Sequence, residues 1–492
     1  VRIILGGPGC GKTTRLLDIM EEELGRGVSP ERLAFVSFTK KAVGEAAARA
    51  CEKFKMQPGE LPYFRTIHSL AYRLLGIQQG EVMQQKHWRE LGDMLGYEFT
   101  RGAQMDEGLA PAGQQQGDLL RFIDALARAR CVPLEEQLRD IRDEVMPQEL
   151  RRFQRAMIDY KQSRGLLDFT DLLERYVEYG DRCPVDVVII DEAQDLSRAQ
   201  WKVIKRAFAG AQRMYVGGDD DQAIFRWSGA DIETFLRLKG EREVLATTHR
   251  LPRTIYGYSQ VLVSRLSKRY EKTATPRDAK GSLQRVPTFD RVPIKTDGTW
   301  MLLVRNAYYL DAIKRWLYEE GVPYATHLGT SVRPEHLQAI IAWEKLRKGE
   351  ALPVEQVRGV YDWMRVGKAL SKVPGETMLT LADLCEKHGC KTDEPWHDAL
   401  VKIPERDRVY YRACKRRGES LTRAPRIYVG TIHSVKGGEA DHVAVLPSMT
   451  QRTWDSFERV PDDEHRAFYV AVTRARESLW LIDAGGTRSY SL

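Results

Sequence analysis

Gly6-Gly7-Pro8-Gly9-Cys10-Gly11-Lys12-Thr13 decides the reading of this chain. The run fits G-x-x-x-x-G-K-[ST] and follows a β-like stretch, Val1-Arg2-Ile3-Ile4-Leu5. Glycines let such a loop turn its backbone N–H groups onto phosphate oxygens. A lysine adds a point charge for the outer phosphates, and the hydroxyl after it can ligate Mg²⁺. Leu16, Leu17, Ile19, Met20 and Leu24 then recur at helical spacing. Strand, glycine loop and helix in that order predict a phosphate-binding loop made of Gly7, Gly9, Cys10, Gly11, Lys12, Thr13 and Thr14, with Thr13 a magnesium ligand.

Working outward, Leu33–Phe38 reads as a second strand, Lys40–Phe54 as an Ala-rich helix, and Thr66–Leu75 as another helix. Strands alternating with helices predict a parallel sheet wrapped by helices. The sheet resumes at Val185-Asp186-Val187-Val188-Ile189-Ile190-Asp191-Glu192, an apolar strand ending in two acids. After a phosphate loop, that is the Walker B pattern: Asp191 holds Mg²⁺ through water and Glu192 polarises the attacking water. Lys12 and Asp191 lie 179 residues apart. That distance predicts an inserted subdomain, and Gln78–Lys161 is polar and helical, with a Gly/Gln/Pro-rich loop at Arg101–Gly117. A second set of strands follows at Trp300–Val304, Ile427–Val429, His442–Leu446 and Leu479–Ile482, interrupted by mostly helical sequence from Ser331 to Thr422. The fold class expected is therefore α/β, with two parallel-sheet cores of P-loop NTPase type, each carrying an inserted, mainly helical domain.

The 492 residues suffice for roughly three or four domains. The balance of 76 basic against 69 acidic residues suits a polyanionic partner without demanding one. Seven scattered cysteines point to a reducing, cytoplasmic compartment. No apolar run approaches 18 residues, which argues against a membrane partner. The chain opens at Val1 on the first strand, so either the initiator is removed or the natural N-terminus lies upstream.

Further blocks occur in a fixed order: F-V-S-F-T-K-K-A at 35–42, T-I-H-S-L at 66–70, I-I-D-E-A-Q-D at 189–195, V-G-G-D-D-D-Q-A-I-F-R-W-S-G-A at 216–230, T-H-R at 248–250, G-T-I-H-S-V-K-G-G-E-A at 430–440 and Y-V-A-V-T-R-A-R at 469–476. With the phosphate loop they resemble the UvrD/Rep-type helicases of superfamily 1, along both cores. The resemblance implies two RecA-like cores, at 1–77 with 162–247 and at 248–330 with 423–492, and helical insertions at 78–161 and 331–422. It implies ATP and Mg²⁺ as cofactors. Gln222 would sense the outer phosphate, Arg250 and Arg474 would reach it from the second core, and Glu439 would contact the nucleotide sugar. Lys12, Asp191 and Glu192 complete the catalytic set. Phe38, Thr39, Thr66, His68, Phe225 and Trp227 on the first core, and Thr431 and His433 on the second, would line the path of single-stranded DNA.

The activity so implied is an ATP-dependent DNA helicase or translocase moving 3′→5′ on single strands and acting at single-strand/duplex junctions, as a monomer. Alternatives are a translocase that strips bound proteins, the motor of a helicase–nuclease, or an ATP-gated clamp. Lys402–Arg426 holds nine basic residues against three acids, a solvated face or a grip on duplex. Cys385, His388 and Cys390 are a poorly spaced candidate for zinc. The sequence departs from the family pattern at His249, where Tyr commonly stacks on adenine, and at Lys436-Gly437-Gly438-Glu439-Ala440, where K-G-L-E-F is usual. The chain begins too late to contain the adenine-reading Gln segment that precedes the loop in relatives, and the return strand of a hairpin near Tyr490 is missing from these residues. Adenine selectivity stays open on this reading.

Overall fold

Val187-Val188-Ile189-Ile190 has no polar face, and a strand of that composition needs cover on both sides. A computed structural model, which describes all residues except 39, 101–114, 140–144, 295–296, 366–369, 371–372 and 484 and the side chains of Lys41 and Pro58, supplies that cover. The chain divides into two units, Val1–Lys280 with Phe457–Tyr469 and Gly281–Ser456 with Val470–Leu492.

In the first unit, β1 (Arg2–Leu5), β2 (Leu33–Ser37), β3 (Phe64–Thr66), β4 (Val187–Asp191), β5 (Arg213–Gly218) and β6 (Glu241–Val244) form a parallel sheet in the order β3-β2-β4-β5-β1-β6. Alternate residues leave by opposite faces. Ile3, Leu5, Val36, Val188 and Ile190 pack with Leu70, Trp201 and Ile204. Ile4, Phe35, Val187, Ile189 and Tyr215 pack with Leu16, Met20 and Ala46. The second layer comes from α1 (Lys12–Gly25) and α2 (Lys40–Phe54); Leu70 comes from α3 (Ile67–Leu74). Register places Ser37 opposite both Asp191 and Thr66, and Leu5 opposite Gly218. The carboxyl ends of five strands therefore lie side by side, where an open parallel sheet presents its ligand crevice.

The first insertion has its own core. Helices Gln85–Leu95, Gln116–Arg130, Leu134–Arg139 and Pro147–Arg164 bury Trp88, Leu91, Ile123, Leu150, Phe153 and Tyr160 together. Residues 101–114 of the expected loop lie outside the described residues. Its end differs from expectation, because Gln116 and Gly117 open a helix instead of extending the loop. Gly117 suits that close approach: a Cβ there would lie 2.6 Å from the Glu98 carbonyl oxygen and 3.0 Å from the Phe99 ring.

A short parallel pair, β7 (Thr247–Pro252) and β8 (Thr275–Arg277), also belongs to the first unit. Residues 248–280 group with the phosphate-loop unit, and β7 is bonded to the loop itself: Thr248 Oγ1 donates to the Pro8 carbonyl at 2.8 Å and the His249 N–H to the Gly9 carbonyl at 2.9 Å.

The second unit is built on β9 (Ser282–Val286), β10 (Trp300–Val304), β11 (Tyr324–Thr326), β12 (Gly329–Thr330), β15 (Ile427–Thr431), β16 (Ala440–Leu446) and β17 (Ala475–Ile482). Their order is β12-β11-β15-β10-β16-β17-β9, parallel throughout except at β11–β12. Between β12 and β15, helices Pro334–Arg347, Val354–Tyr361 and Glu405–Arg416 share a separate core of Trp343, Val357, Trp396, Tyr410 and Tyr411. That insertion also holds a small antiparallel pair, β13 (Leu352–Pro353) and β14 (Met378–Leu379). Two parallel α/β cores with helical insertions are the expected architecture.

Candidate active site

The loop after β1 turns on two glycines in the left-handed region, Gly9 at φ 72° and Gly11 at φ 78°, a conformation that side chains resist. Gly9 has a second reason to be glycine: a Cβ there would run into the Cβ of Arg250 on β7. Lys12 folds back over the loop, its ammonium donating to the carbonyls of Gly6 at 2.8 Å and Gly7 at 3.2 Å. Cys10 is buried, and burial pushes its thiol up. Thr14 is exposed on the first turn of α1.

Thr13 Oγ1 donates to Asp191 Oδ2 at 2.9 Å, across from the end of β4. Asp191 is 1% exposed, and burial, reinforced by the neighbouring Glu192 charge, raises its pKa to about 7 against the pull of Thr13, the Glu192 N–H and Lys12. Glu192 itself takes φ 52°, rare for a residue with a Cβ, and its N–H donates to Asp191 Oδ1 at 2.9 Å. Such local strain is found where a surrounding network over-determines the backbone. Here the network is visible. Gln194 Nε2 donates to the Glu192 carboxylate, and Gln194 Oε1 accepts the Asp219 N–H at 2.9 Å. Asp219 Oδ2 in turn accepts Gln222 Nε2 at 2.6 Å. One hydrogen-bonded path thus links loop, β4 and the segment after β5.

Two oxygens, Thr13 Oγ1 and Asp191 Oδ2, stand together beside the lysine loop, an all-oxygen donor pair that suits a hydrated magnesium ion. A bound cation would also oppose the burial that raises Asp191, so the residues present fit the group. The three consecutive acids Asp219, Asp220 and Asp221 are the metal-sized group among the described residues, but the Lys272 ammonium already sits among them. Cys385, His388 and Cys390 form no such group there; Cys390 is buried, with its thiol on the Thr392 carbonyl at 3.3 Å.

Past Gln222 the chain enters an aromatic row. Phe225 stacks on Phe38 with centroids 5.7 Å apart, Trp227 meets Phe225 at 6.3 Å edge-on, and Phe122 of the insertion meets Trp227 at 6.4 Å. Phe38 and Phe225 are buried, Trp227 half-buried. Thr66 is also buried and caps α3, accepting the Ser69 N–H at 3.4 Å. His68 faces Phe169 edge-on at 6.1 Å. Phe38, His68, Trp88, Phe122 and Phe169 share the wall of a cavity of about 550 Å³ between the sheet ends and the insertion. Arg128 of the insertion holds that side together, meeting Asp168 at 3.0 Å and Asp171 at 2.5 Å at the start of the Phe169–Tyr179 helix. Thr39 lies outside the described residues.

Arg250 lies in the first unit, and its carbonyl accepts Arg277 Nε at 3.1 Å. Arg474 is in the second unit, 1% exposed, its guanidinium donating to the carbonyls of Val470 at 2.9 Å and Gly438 at 3.0 Å. Glu439 is exposed beside Arg476 at 3.4 Å. Thr431 ends β15, and the following 3₁₀ turn at His433–Val435 is fixed by Ser434 Oγ on the Thr431 carbonyl at 2.8 Å. In the basic run, Arg417 pairs with Glu320 at 2.5 Å and Arg426 with Glu419 at 2.8 Å, while Arg412, Lys415 and Arg416 are exposed on helix Glu405–Arg416.

Sequence reasoning assigned no role to Gln194, Thr248 or Lys272. Gln194 and Thr248 lie inside quoted blocks, I-I-D-E-A-Q-D and T-H-R, so the sequence carried a signal for both; Lys272 acts on partners far along the chain, and nothing local marks it. No helix among the described residues is long and apolar enough to cross a membrane.

Comparisons with known proteins agree with this geometry. Residues 1–243 match the UvrD/REP helicase N-terminal domain and residues 426–482 the UvrD-like helicase C-terminal domain. The chain is similar to the Bacillus subtilis (strain 168) protein YjcD, 24% identical over 295 residues that cover 55% of this chain and 37% of YjcD. It is similar to the ATP-dependent DNA helicase PcrA of the same organism, 25% identical over 249 residues, 48% of this chain and 33% of PcrA. PcrA of Staphylococcus aureus (strain Mu50 / ATCC 700699) is 23% identical over 291 residues, 55% of this chain and 39% of that protein. The matched stretch therefore spans between 33% and 39% of those relatives' length. A solved PRRSV helicase structure aligns with 99% of this chain and 53% of its own at 12% identity and a TM-score of 0.35, which adds nothing to the fold argument. The N-terminal and C-terminal domains of one family are both present, in order, around the phosphate loop and the Asp191–Glu192 pair, and the chain belongs to the UvrD/REP helicase family.

Proposed function

We propose that this chain is an ATP-dependent DNA helicase or translocase that moves 3′→5′ along single-stranded DNA. The observation that supports it best is the unbroken path from phosphate loop to aromatic row: Thr13 to Asp191, Glu192 to Gln194, Asp219 to Gln222, then Phe225, Phe38 and Trp227. A path of that kind lets occupancy of the phosphate site and occupancy of a strand site bias one another.

In this reading the P-loop amides and Lys12 hold the polyphosphate. Thr13 and Asp191 hold Mg²⁺, which when bound neutralises phosphate oxygens. Glu192 orients and polarises the attacking water. Gln222 senses the outer phosphate, and Arg250 and Arg474 spread charge over its oxygens, a role worth about 10³–10⁵ in rate where arginine supplies it. Glu439 contacts the sugar. Phe38, Thr66, His68, Phe225 and Trp227, with Thr431 and His433 in the second unit, follow the strand by stacking and hydroxyl contacts, which read no sequence.

The test is ATP turnover with and without single-stranded DNA, followed by unwinding of duplexes with 3′ or 5′ tails and displacement of streptavidin from end-biotinylated strands. DNA-stimulated turnover with a 3′-tail preference is expected. Turnover indifferent to DNA would refute the reading, and displacement without unwinding would restrict it to translocation.

A further inference from the structure

Asp219, Asp220 and Asp221 are each at most 1% exposed, and their carboxylate oxygens lie within 4.8 Å of one another. Three adjacent buried acids demand countercharge. It comes from one short segment about fifty residues on. Lys272 Nζ lies 3.2 Å from Asp219 and 3.1 Å from Asp221, bonds to Asp220, and reaches the Tyr270 carbonyl at 3.3 Å. Arg269 forks onto both Asp221 oxygens at 2.8 Å. The Tyr270 N–H donates to Asp220 Oδ2 at 2.7 Å. Arg466 ties the two segments by donating to the carbonyls of Asp220 and Lys268, each at 2.9 Å.

The three acids are not equivalent. Asp220 and Asp221 turn toward residues 269–272. Asp219 faces both ways: Oδ1 accepts the Asp221 N–H at 3.2 Å and lies against Lys272, while Oδ2 accepts Gln222 Nε2 at 2.6 Å. Its own N–H is committed to Gln194. The orientation of the Gln222 amide is therefore set by a carboxylate that Lys272 holds.

We propose that Lys272 is a positioning residue for Gln222, acting through Asp219 to fix the amide that reports on the outer phosphate. The proposal rests on the functional reading above. Burial alone would lift the Asp219 carboxyl, but the charges of Lys272 and Lys12 hold it below the usual range, so it stays ionised to accept from Gln222. Without Lys272, Asp219 Oδ1 loses the ammonium that holds it, with or without Asp220 ionised, and the carboxylate is no longer fixed against Gln222.

The experiment compares Lys272→Met, Lys272→Arg, Lys272→Met with Asp220→Asn, Gln222→Ala, and Gln222→Ala with Lys272→Met. Steady-state ATP turnover at saturating single-stranded DNA is measured across ATP concentration, alongside thermal melting. The Asp220→Asn partner restores charge balance, so a folded variant without Lys272 is available even where Lys272→Met melts early. Lys272→Met, alone or with Asp220→Asn, should lose about tenfold or more in kcat, as expected for one charge-assisted contact, with KM for ATP within about threefold. Lys272→Arg should recover part of that loss. Adding Lys272→Met to Gln222→Ala should slow the enzyme no further, because both remove the same interaction. Near-wild-type kcat in the charge-balanced variant, or losses that multiply in the Gln222→Ala background, would overturn the proposal. A wild-type enzyme without ATP turnover would instead overturn the functional reading beneath it.

Discussion

Replacing Asp191 by Asn should stabilise the first unit, and by an amount that grows with pH. The wild-type carboxyl is raised from 3.8 to about 7 by burial and by Glu192. A raised acid favours the folded state while it holds its proton and loses that advantage as pH climbs through the folded value. Below about pH 4 the folded and unfolded chains are both protonated at 191. Between there and pH 7 the unfolded chain ionises freely while the folded chain must retain a proton or bear a buried charge. Each unit of that interval is worth about 1.36 kcal/mol. From pH 5 to pH 8 the gap between variant and wild type should therefore widen by roughly 3 kcal/mol. In the amide Oδ1 accepts the Glu192 N–H and Nδ2 can donate to the Thr13 hydroxyl, which turns to accept, so it carries at most a fixed penalty of about 1 kcal/mol. That penalty does not vary with pH, so the slope isolates the carboxyl. Urea unfolding of both proteins at pH 5, 6, 7 and 8, without nucleotide or magnesium, measures it. A gap that stays flat across this range would refute the burial argument. Magnesium at pH 8 should narrow the gap by stabilising the wild type alone.

Lys12→Ala should abolish ATP turnover with an unchanged circular dichroism spectrum, since Lys12 is held by loop carbonyls on the loop surface and supports no core packing; turnover near wild type would remove the phosphate-loop assignment. Glu192→Gln should bind ATP yet hydrolyse it about 10²–10⁴-fold more slowly in single turnover, the range for losing a positioned base. Trp227→Ala should weaken single-strand binding by about 1–3 kcal/mol and reduce DNA-stimulated turnover, while the DNA-independent rate holds. Trp227 is half-buried between Phe122 and Phe225, so its melting temperature should fall only modestly, and a collapse of fold and basal turnover together would show a packing role instead.

What was legible in the sequence shares one property: cause and effect lie within a few residues. Gly9, Gly11, Lys12 and Thr13 form a loop by local backbone preference, and Val187–Ile190 announces a doubly covered strand by composition alone. Asp191 and Glu192 take their places because that strand stops there. Helix Lys40–Phe54 appears at its expected limits, its Ala-rich period marking the face that packs on the sheet. The unread parts depend on residues that meet only after folding. Lys272 is one lysine in a polar stretch until Asp219, Asp220 and Asp221 close around it. Thr248 belongs to the T-H-R block, yet its bond to the Pro8 carbonyl exists only once β7 lies against the loop. Phe225 and Trp227 sat in one block with one expected role, yet stacking on Phe38 buries the first and leaves the second half-open. A motif therefore names the residues that meet the ligand, whereas the residues that hold those side chains in place come from elsewhere in the chain, and mutating them tests whether the fold itself carries the coupling.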